Sequence, residues 1–201
     1  MTFNLGCIVE GYGDVQAVPV LLRRVQQELH PDVYLNIPLP WRRPRYRLVK
    51  PGELEGTIEA LARQLQRPRT ILILVDADDD PPCRVGPDLL ARATEARPDI
   101  PMGLVLAKHE YEAWLLAALP SLAGRSGLRD QLPDVADPEA KQDAKKVLSE
   151  HMEAGQTYKA TRDQARLTAL FDMQLARQRS DSFDKCWREV QRLLGTAAAD
   201  A

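Results

Sequence analysis

The stretch "TILILVDADDD" (residues 70–80) decides how this chain folds. Its first part is continuous and aliphatic, which is typical of a strand in the middle of a parallel sheet, buried on both faces. A run of carboxylates then follows, at Asp76, Asp78, Asp79 and Asp80. Because ligands of parallel α/β sheets collect beyond the carboxyl ends of the strands, the same stretch predicts where a site would lie.

Shorter apolar runs on both sides of this stretch predict the rest of a sheet. They are "LGCIVE" (5–10), "VYLNIPL" (33–39) and "MGLVLA" (102–107). Apolar residues at helical spacing lie between the runs, at 15–29, 54–65 and 87–96. Pro38 restricts its run to an edge or an end. This alternation predicts an α/β fold with a mostly parallel sheet flanked by helices.

Beyond residue 108 the strand patterns stop and helical patterns take over. "EYEAWLLAAL" (110–119) begins a helix, and a polar loop rich in Pro and Gly follows. Three further helices are predicted near 138–154, 161–178 and 183–194. We therefore predict an α/β core over 1–118, a helical C-terminal part over 119–195 packed on that core, and a loose tail over 196–201.

Composition narrows the class of protein. The 201 residues carry a formal net charge of -2, and 44% are hydrophobic, which is globular composition without an overall basic character. Three separated cysteines without a CxxC pair, and histidines without ligand spacing, argue against a disulfide framework or a zinc site. No secretory leader pattern and no apolar run near the roughly 20 residues of a membrane span are present. We expect a soluble, cytoplasmic protein with no membrane partner.

Acidic side chains follow three of the predicted strands. Glu10 closes the first, Asp76 and its neighbours close the strand at 70–76, and Glu110 and Glu112 follow the strand at 102–107. Each acid alone could be a helix cap or part of a solvated turn. Carboxylates gathered in one crevice repel one another unless a cation lies among them. Oxygen ligands without Cys or His favour Mg²⁺ or Mn²⁺, so the pattern predicts such a metal site.

The same residues resemble a known family. "VEGYGD" (9–14) followed by "VDADDD" (75–80) resembles the TOPRIM domain of topoisomerases, bacterial primases and the OLD-type nucleases of phage defence. "KHEYEAWLLA" (108–117) is similar to the acidic helix start that OLD-type nucleases carry next. Over nearly its full length the chain is similar to a small bacterial family of single-domain TOPRIM proteins, with "TYKATRDQARL" (157–167) and "SDSFDKCWREV" (180–190) as further shared segments.

The resemblance implies roles for individual residues. Glu10, Asp76 and Asp78 would be catalytic, with Glu10 as a metal ligand or general base. Lys159 would stabilise transition-state charge on a phosphate, although a solvated surface lysine is the alternative. The implied metal ligands are Glu10, Asp14, Asp76, Asp78, Asp80 and Glu112, with Glu110 as the less favoured choice for the last position.

The segment "WRRPRYRLVK" (41–50) concentrates positive charge between two aromatic residues. Arginines bind phosphates bidentately and aromatic rings stack on bases, so the segment is a candidate nucleic-acid contact. Its candidate contact residues are Arg42, Arg43, Arg45, Arg47 and Lys50. The alternative is an exposed edge strand whose charges deter aggregation.

Two functions remain open from the sequence. The first is a Mg²⁺- or Mn²⁺-dependent nuclease, a phosphodiesterase acting on nucleic acid in phage defence or DNA repair. The alternative is a non-catalytic TOPRIM subunit that binds nucleic acid or a nucleotide and works with a partner ATPase. The sequence has no GxxxxGK[ST] motif and none of the additional domains of topoisomerases or primases, so we expect neither of those activities from it alone.

Overall fold

The computed structural model describes residues 2–140 and 143–199. Its strands are β1 (Thr2–Val9), β2 (Tyr34–Asn36), β3 (Trp41–Arg42), β4 (Arg69–Asp76) and β5 (Met102–Ala107). Its helices are α1 (Asp14–Leu29), α2 (Arg45–Leu48), α3 (Glu53–Ala62), α4 (Pro82–Ala96), α5 (Glu112–Ala117), α6 (Ala144–Glu150), α7 (Ala165–Thr168), α8 (Met173–Arg179) and α9 (Asp181–Ala199). A 3-10 turn (Leu119–Leu122) follows α5, and a π-helical turn (Ala160–Gln164) leads into α7.

The strands form one parallel sheet in the order β2-β1-β4-β5. The short strand β3 pairs with the end of β1, so that β2 and β3 share its outer edge. β4 is central and its interior is buried, as its aliphatic run predicted. β2 ends before Pro38 and lies at the edge. The predicted α/β fold with a mostly parallel sheet, flanking helices and a helical C-terminal region is confirmed.

The alternating side chains of β4 separate two apolar cores. Leu72 and Leu74 face the core that contains α1, α5, α8 and α9. Ile71, Ile73 and Val75 face a smaller core that α3 and α4 cover. The C-terminal helices therefore pack on the same face of the sheet as α1. Trp114 and Trp187, both in apolar helical patterns, are buried in this larger core.

The C-terminal helices are shorter than the apolar spacing suggested. In the described part of 138–154, which leaves out residues 141 and 142, the predicted helix is limited to α6. The helix predicted over 161–178 is interrupted before α8. Asp172 causes this break because its carboxylate caps α8, accepting hydrogen bonds from the backbone of Gln174 and Leu175. The predicted loose tail begins within α9, which continues to Ala199, and residues 200 and 201 lie outside the described ranges.

Ser182 joins the start of α9 to the end of the sheet. Its Oγ accepts hydrogen bonds from Trp114 Nε1 at 2.8 Å and from the Lys108 backbone nitrogen at 3.1 Å. The same hydroxyl donates to Glu139 Oε1 at 2.6 Å, and Ser180 Oγ donates to that oxygen as well. The Ser-Phe segment at 180–183 is therefore a structural connection between α9, α5 and the end of β5.

Ser182→Ala should lower the free energy of unfolding by about 2–3 kcal/mol, because two donors lose their acceptor in a buried place. Urea unfolding followed by tryptophan fluorescence measures the change. Thr94→Ala is the control, since this exposed hydroxyl donates to Leu90 within its own helix and its loss should cost under about 0.5 kcal/mol. An equally small effect of Ser182→Ala would contradict the structural role.

Across residues 2–140 and 143–199, no helix combines the length and the apolar character needed to cross a membrane.

Candidate functional site

Glu10 follows β1 directly and points its carboxylate into the protein. Oε1 accepts a hydrogen bond from the backbone nitrogen of Arg45 at 3.3 Å. Oε2 is buried and has no hydrogen-bond partner within the described ranges. Burial raises the pKa of Glu10, the backbone donor at Arg45 opposes this, and the charge of Asp78 adds to it. A buried oxygen without a donor is costly, so Oε2 is suited to a ligand that this chain does not itself supply.

Asp14 stands at the first turn of α1, across the glycine turn from Glu10. Its Oδ2 accepts from the Gly11 backbone nitrogen at 2.7 Å. Its Oδ1 accepts from Gln164 Nε2 at 2.6 Å. Both carboxylate oxygens thus have donors, and the second donor comes from the helical C-terminal part, 150 residues along the chain.

Asp76 ends β4 at the centre of the group of acids. Its Oδ1 accepts from the Tyr111 backbone nitrogen at 2.9 Å. Burial raises the pKa of Asp76 well above its usual value of 3.8, and the nearby charges of Asp14, Glu112 and Glu10 raise it further. Asp76, Asp14, Glu112 and Glu10 thus lie near enough for their charges to act on Asp76, beyond the carboxyl ends of β1 and β4.

Asp78 and Asp80 lie in the turn that follows β4, and both are exposed. Asp78 adopts a left-handed conformation with φ of 49°, held by its backbone nitrogen donating to the His109 carbonyl at 3.1 Å. Arg45 Nη1 lies 3.2 Å from Asp78 Oδ2, and Arg45 Nη2 contacts Asp80 Oδ2. A guanidinium from α2 therefore bridges the two aspartates.

Glu112 is the most buried of the predicted ligands, with only 1% of its surface exposed. Its Oε1 accepts from the Tyr158 hydroxyl at 2.9 Å, and its Oε2 lies 3.3 Å from Lys145 Nζ. Lys145 Nζ also lies 3.0 Å from Glu110 Oε1. Burial raises the pKa of Glu112 although Lys145 opposes it. Burial alone would lower the pKa of Lys145, but the surrounding carboxylates raise it, so this lysine stays charged.

The lysine beside the acids is therefore Lys145, which the sequence did not single out. Lys159 is exposed, and its backbone nitrogen donates to Asp163 Oδ2 at 2.8 Å. Of the Tyr-Lys pair at 158–159, the tyrosine reaches Glu112 and the lysine faces solvent. Lys145 begins no recognisable motif and follows a polar loop, so no sequence pattern distinguished it.

The basic segment at 41–50 splits into two parts. Arg45 is buried against the acids. The other basic residues stay at the surface, where three of them lie over aromatic rings: Arg42 over Tyr12 at 4.0 Å, Arg43 over Trp41 at 5.3 Å and Lys50 over Tyr46 at 5.7 Å. We call Arg42, Arg43, Arg47 and Lys50 with these rings the basic–aromatic strip. Only 41–42 is strand, so the edge-strand alternative applies to two residues of the segment.

Two clefts adjoin these groups. One of about 210 Å³ is lined by Asp78, Asp79, His109, Glu110 and Asp143, beside the turn that follows β4. Another of about 420 Å³ lies along the strip, where Trp41, Arg43 and Arg47 face the start of α3. The candidate site thus has an acidic cleft, the one lined by Asp78, Asp79, His109, Glu110 and Asp143, which we call the acidic mouth. It lies beside the basic–aromatic strip.

The donor set fits a hard divalent cation in its chemistry, and the unpartnered oxygen of Glu10 fits one in its position. Over residues 2–140 and 143–199, however, no three His, Cys, Asp or Glu side chains are arranged to hold a metal ion. Arg45 instead pairs with the exposed Asp78, and Lys145 pairs with the buried Glu112. Loading a metal would therefore require some carboxylates to exchange a side-chain cation for the ion.

Asp76→Asn should stabilise the metal-free protein by about 1–2 kcal/mol at pH 8, because asparagine keeps the acceptor for Tyr111 and removes the repelled charge. A carboxyl whose pKa is raised by folding weakens the fold as the pH rises from 3.8 through its raised pKa. The gain should therefore vanish near pH 4. Urea unfolding in EDTA across this range measures it.

Asp88→Asn, at an exposed carboxylate of α4, is the matched control and should show no such pH dependence. If Asp76→Asn destabilised the protein at every pH, Asp76 would be a structural cap.

A family model described as a domain of unknown function, DUF4276, matches residues 9–191. The matched span contains every candidate acid, both Arg45 and Lys145, and most of the helical C-terminal part. No curated protein and no solved structure matches the chain.

Proposed function

The chain belongs to the DUF4276 family, and we propose that it is a Mg²⁺- or Mn²⁺-dependent phosphodiesterase acting on nucleic acid. The observation that carries the proposal is the cluster of Glu10, Asp14, Asp76 and Glu112 beyond the carboxyl ends of β1 and β4. The repulsion among these carboxylates would be relieved by a bound cation. The resemblance of the sequence to OLD-type TOPRIM nucleases suggests that the cation serves phosphodiester hydrolysis. Phage defence or DNA repair is the proposed setting.

The hydrogen-bond partners of the acids separate the carboxylates that are available to a metal ion from those that are already held in place. Glu10 has a free buried oxygen, and Asp76 has one oxygen bonded to a backbone donor. Asp14 is held by two donors, which fixes its orientation. Glu10, Asp76 and Asp78 would hold the first ion, and Asp14 and Glu112 would complete a second position. A bound ion would supply an activated water and neutralise the leaving oxygen.

The chain's own residues supply the remaining tasks. Lys145, kept charged by the carboxylates around it, is placed to neutralise charge that develops on a phosphate. Glu10, whose pKa is raised by burial, is suited to accept a proton from an attacking water. The basic–aromatic strip holds the polynucleotide backbone beside the acidic mouth, with its arginines on phosphates and its rings against bases.

The test is cleavage of supercoiled plasmid DNA and of a labelled RNA by the purified protein in Mn²⁺ or Mg²⁺. We expect products with the metal and none in EDTA. Glu10→Gln should lose the activity, whereas Glu95→Gln, an exposed glutamate of α4, should keep it. Equal cleavage in EDTA, or full activity of Glu10→Gln, would rule out the proposal.

One observation favours the binding subunit as a second candidate. Asp78, Asp80, Glu110 and Glu112 already have side-chain cations, so the site is electrostatically balanced in part without a metal. A binding subunit would shift a labelled oligonucleotide in a gel yet leave it intact in Mn²⁺. Hydrolysis that appears only when a partner ATPase is added would assign the chain to this second class.

A further inference from the structure

We propose that Arg45 is the internal counter-ion of Asp78 and Asp80, and that a divalent cation must displace its guanidinium in order to bind there. The inference rests on the metal site of the proposed function. It assigns Arg45 a positioning role in the acidic site, although the sequence placed this residue in the nucleic-acid contact segment.

Arg45 contacts the carboxylates with both its side chain and its backbone. Arg45 Nη1 lies 3.2 Å from Asp78 Oδ2, and Nη2 contacts Asp80 Oδ2, so one guanidinium holds both aspartates at once. The Arg45 backbone nitrogen donates to Glu10 Oε1 at 3.3 Å. A single residue of α2 thus contacts two of the proposed ligands of the first ion, Glu10 and Asp78, together with the neighbouring Asp80.

Arg45 and the two aspartates differ in their exposure to solvent. Only 10% of the Arg45 side chain is exposed, against 65% for Asp78 and 57% for Asp80. The guanidinium comes from the protein side, and both aspartates remain open to solvent. An ion arriving from solvent therefore reaches the carboxylates without first crossing the arginine.

The Arg45 guanidinium does not form all of its hydrogen bonds in this position. Its Nε is buried with no hydrogen-bond partner in the described part of the chain, and Glu10 Oε2 is unpartnered as well. A buried donor without an acceptor is unfavourable, which lowers the cost of moving the guanidinium away. Without metal, the Arg45 guanidinium is thus held beside Asp78 and Asp80 by charge, and a metal ion can take its place.

The Arg45 guanidinium and a divalent metal ion would therefore compete for the same carboxylates. Removing the guanidinium leaves Asp78, Asp80 and Glu10 facing one another without a positive charge, which raises their affinity for a divalent ion. If Arg45 only supported the fold, its removal would weaken metal binding. The two roles therefore predict opposite signs for the change in metal affinity.

The experiment is calorimetric titration of the purified full chain with Mn²⁺ alone. We expect Arg45→Met to bind Mn²⁺ about tenfold more tightly than the parent or better, and Arg45→Lys to lie between them, because one ammonium cannot bridge two aspartates as a guanidinium does. Arg84→Met is the matched control, since it removes an exposed arginine four positions after Asp80 and should change the affinity less than about twofold.

A melting experiment gives a second readout. Without metal, Arg45→Met should melt below the parent, and saturating Mn²⁺ should raise its melting temperature by more than it raises that of the parent. If Arg45→Met binds Mn²⁺ equally or more weakly while the parent binds it, the counter-ion role is overturned and the metal site stands. If neither protein binds Mn²⁺, the metal site falls as well.

Discussion

Lys145→Met is expected to reduce the rate constant for metal-dependent phosphodiester hydrolysis about 100- to 1,000-fold, the loss typical of removing one preorganised charge from a transition state. Lys145 Nζ lies 3.0 Å from Glu110 and 3.3 Å from Glu112, so it is already positioned among the acids before substrate binds. Single-turnover cleavage of a labelled oligonucleotide at saturating Mn²⁺ measures the rate constant independently of binding.

Lys159→Met is the matched control because it removes the same charge from an exposed lysine and should leave the rate within about twofold. Lys145→Arg keeps the charge and should retain part of the activity. Circular dichroism must show that Lys145→Met is folded, since Glu112 loses its cation but keeps the Tyr158 hydroxyl. The opposite result, with Lys159 essential and Lys145 dispensable, would restore the role that the TOPRIM resemblance implied for Lys159.

Replacing Arg42, Arg43 and Arg47 together by alanine is expected to weaken nucleic-acid binding at any sequence and to flatten its salt dependence. Each lost phosphate contact lowers the slope of log K against log salt by roughly 0.7–0.9, so three contacts should lower it by roughly 2–3. Fluorescence anisotropy of a labelled oligonucleotide measures both the affinity and its salt dependence. The titrations run between about 50 and 200 mM NaCl, where salt has a strong effect on binding.

A triple alanine variant of Arg63, Arg84 and Arg125 controls for net charge, because these exposed arginines lie outside the basic–aromatic strip. Its salt slope should stay close to that of the parent. Manganese affinity should be unchanged in the strip variant, since the buried Arg45 is left in place. If the strip variant bound as tightly as the parent with the same slope, the strip would have no role in holding the polynucleotide.

The sequence by itself determined the sheet and the positions of most acids. A continuous aliphatic run such as 70–75 indicates a strand that is buried on both faces of the sheet. The residue that ends this strand therefore lies at the carboxyl edge of the sheet. Parallel strands share that edge, so Glu10 and Asp76 were expected to meet, and the structure brings them together. These conclusions follow from local burial and strand direction, which short stretches of sequence encode directly.

Only the tertiary structure decided which cations meet those acids. Arg45 looks like its neighbours in a basic segment, yet it alone among the five predicted contact residues turns inward, to an aspartate 33 positions away. Lys145 reaches Glu110 across 35 positions, whereas Lys159 of the recognised motif stays exposed. The physical reason is that an ion pair depends on how whole helices pack against the sheet, and a local pattern carries no information about a partner so far along the chain.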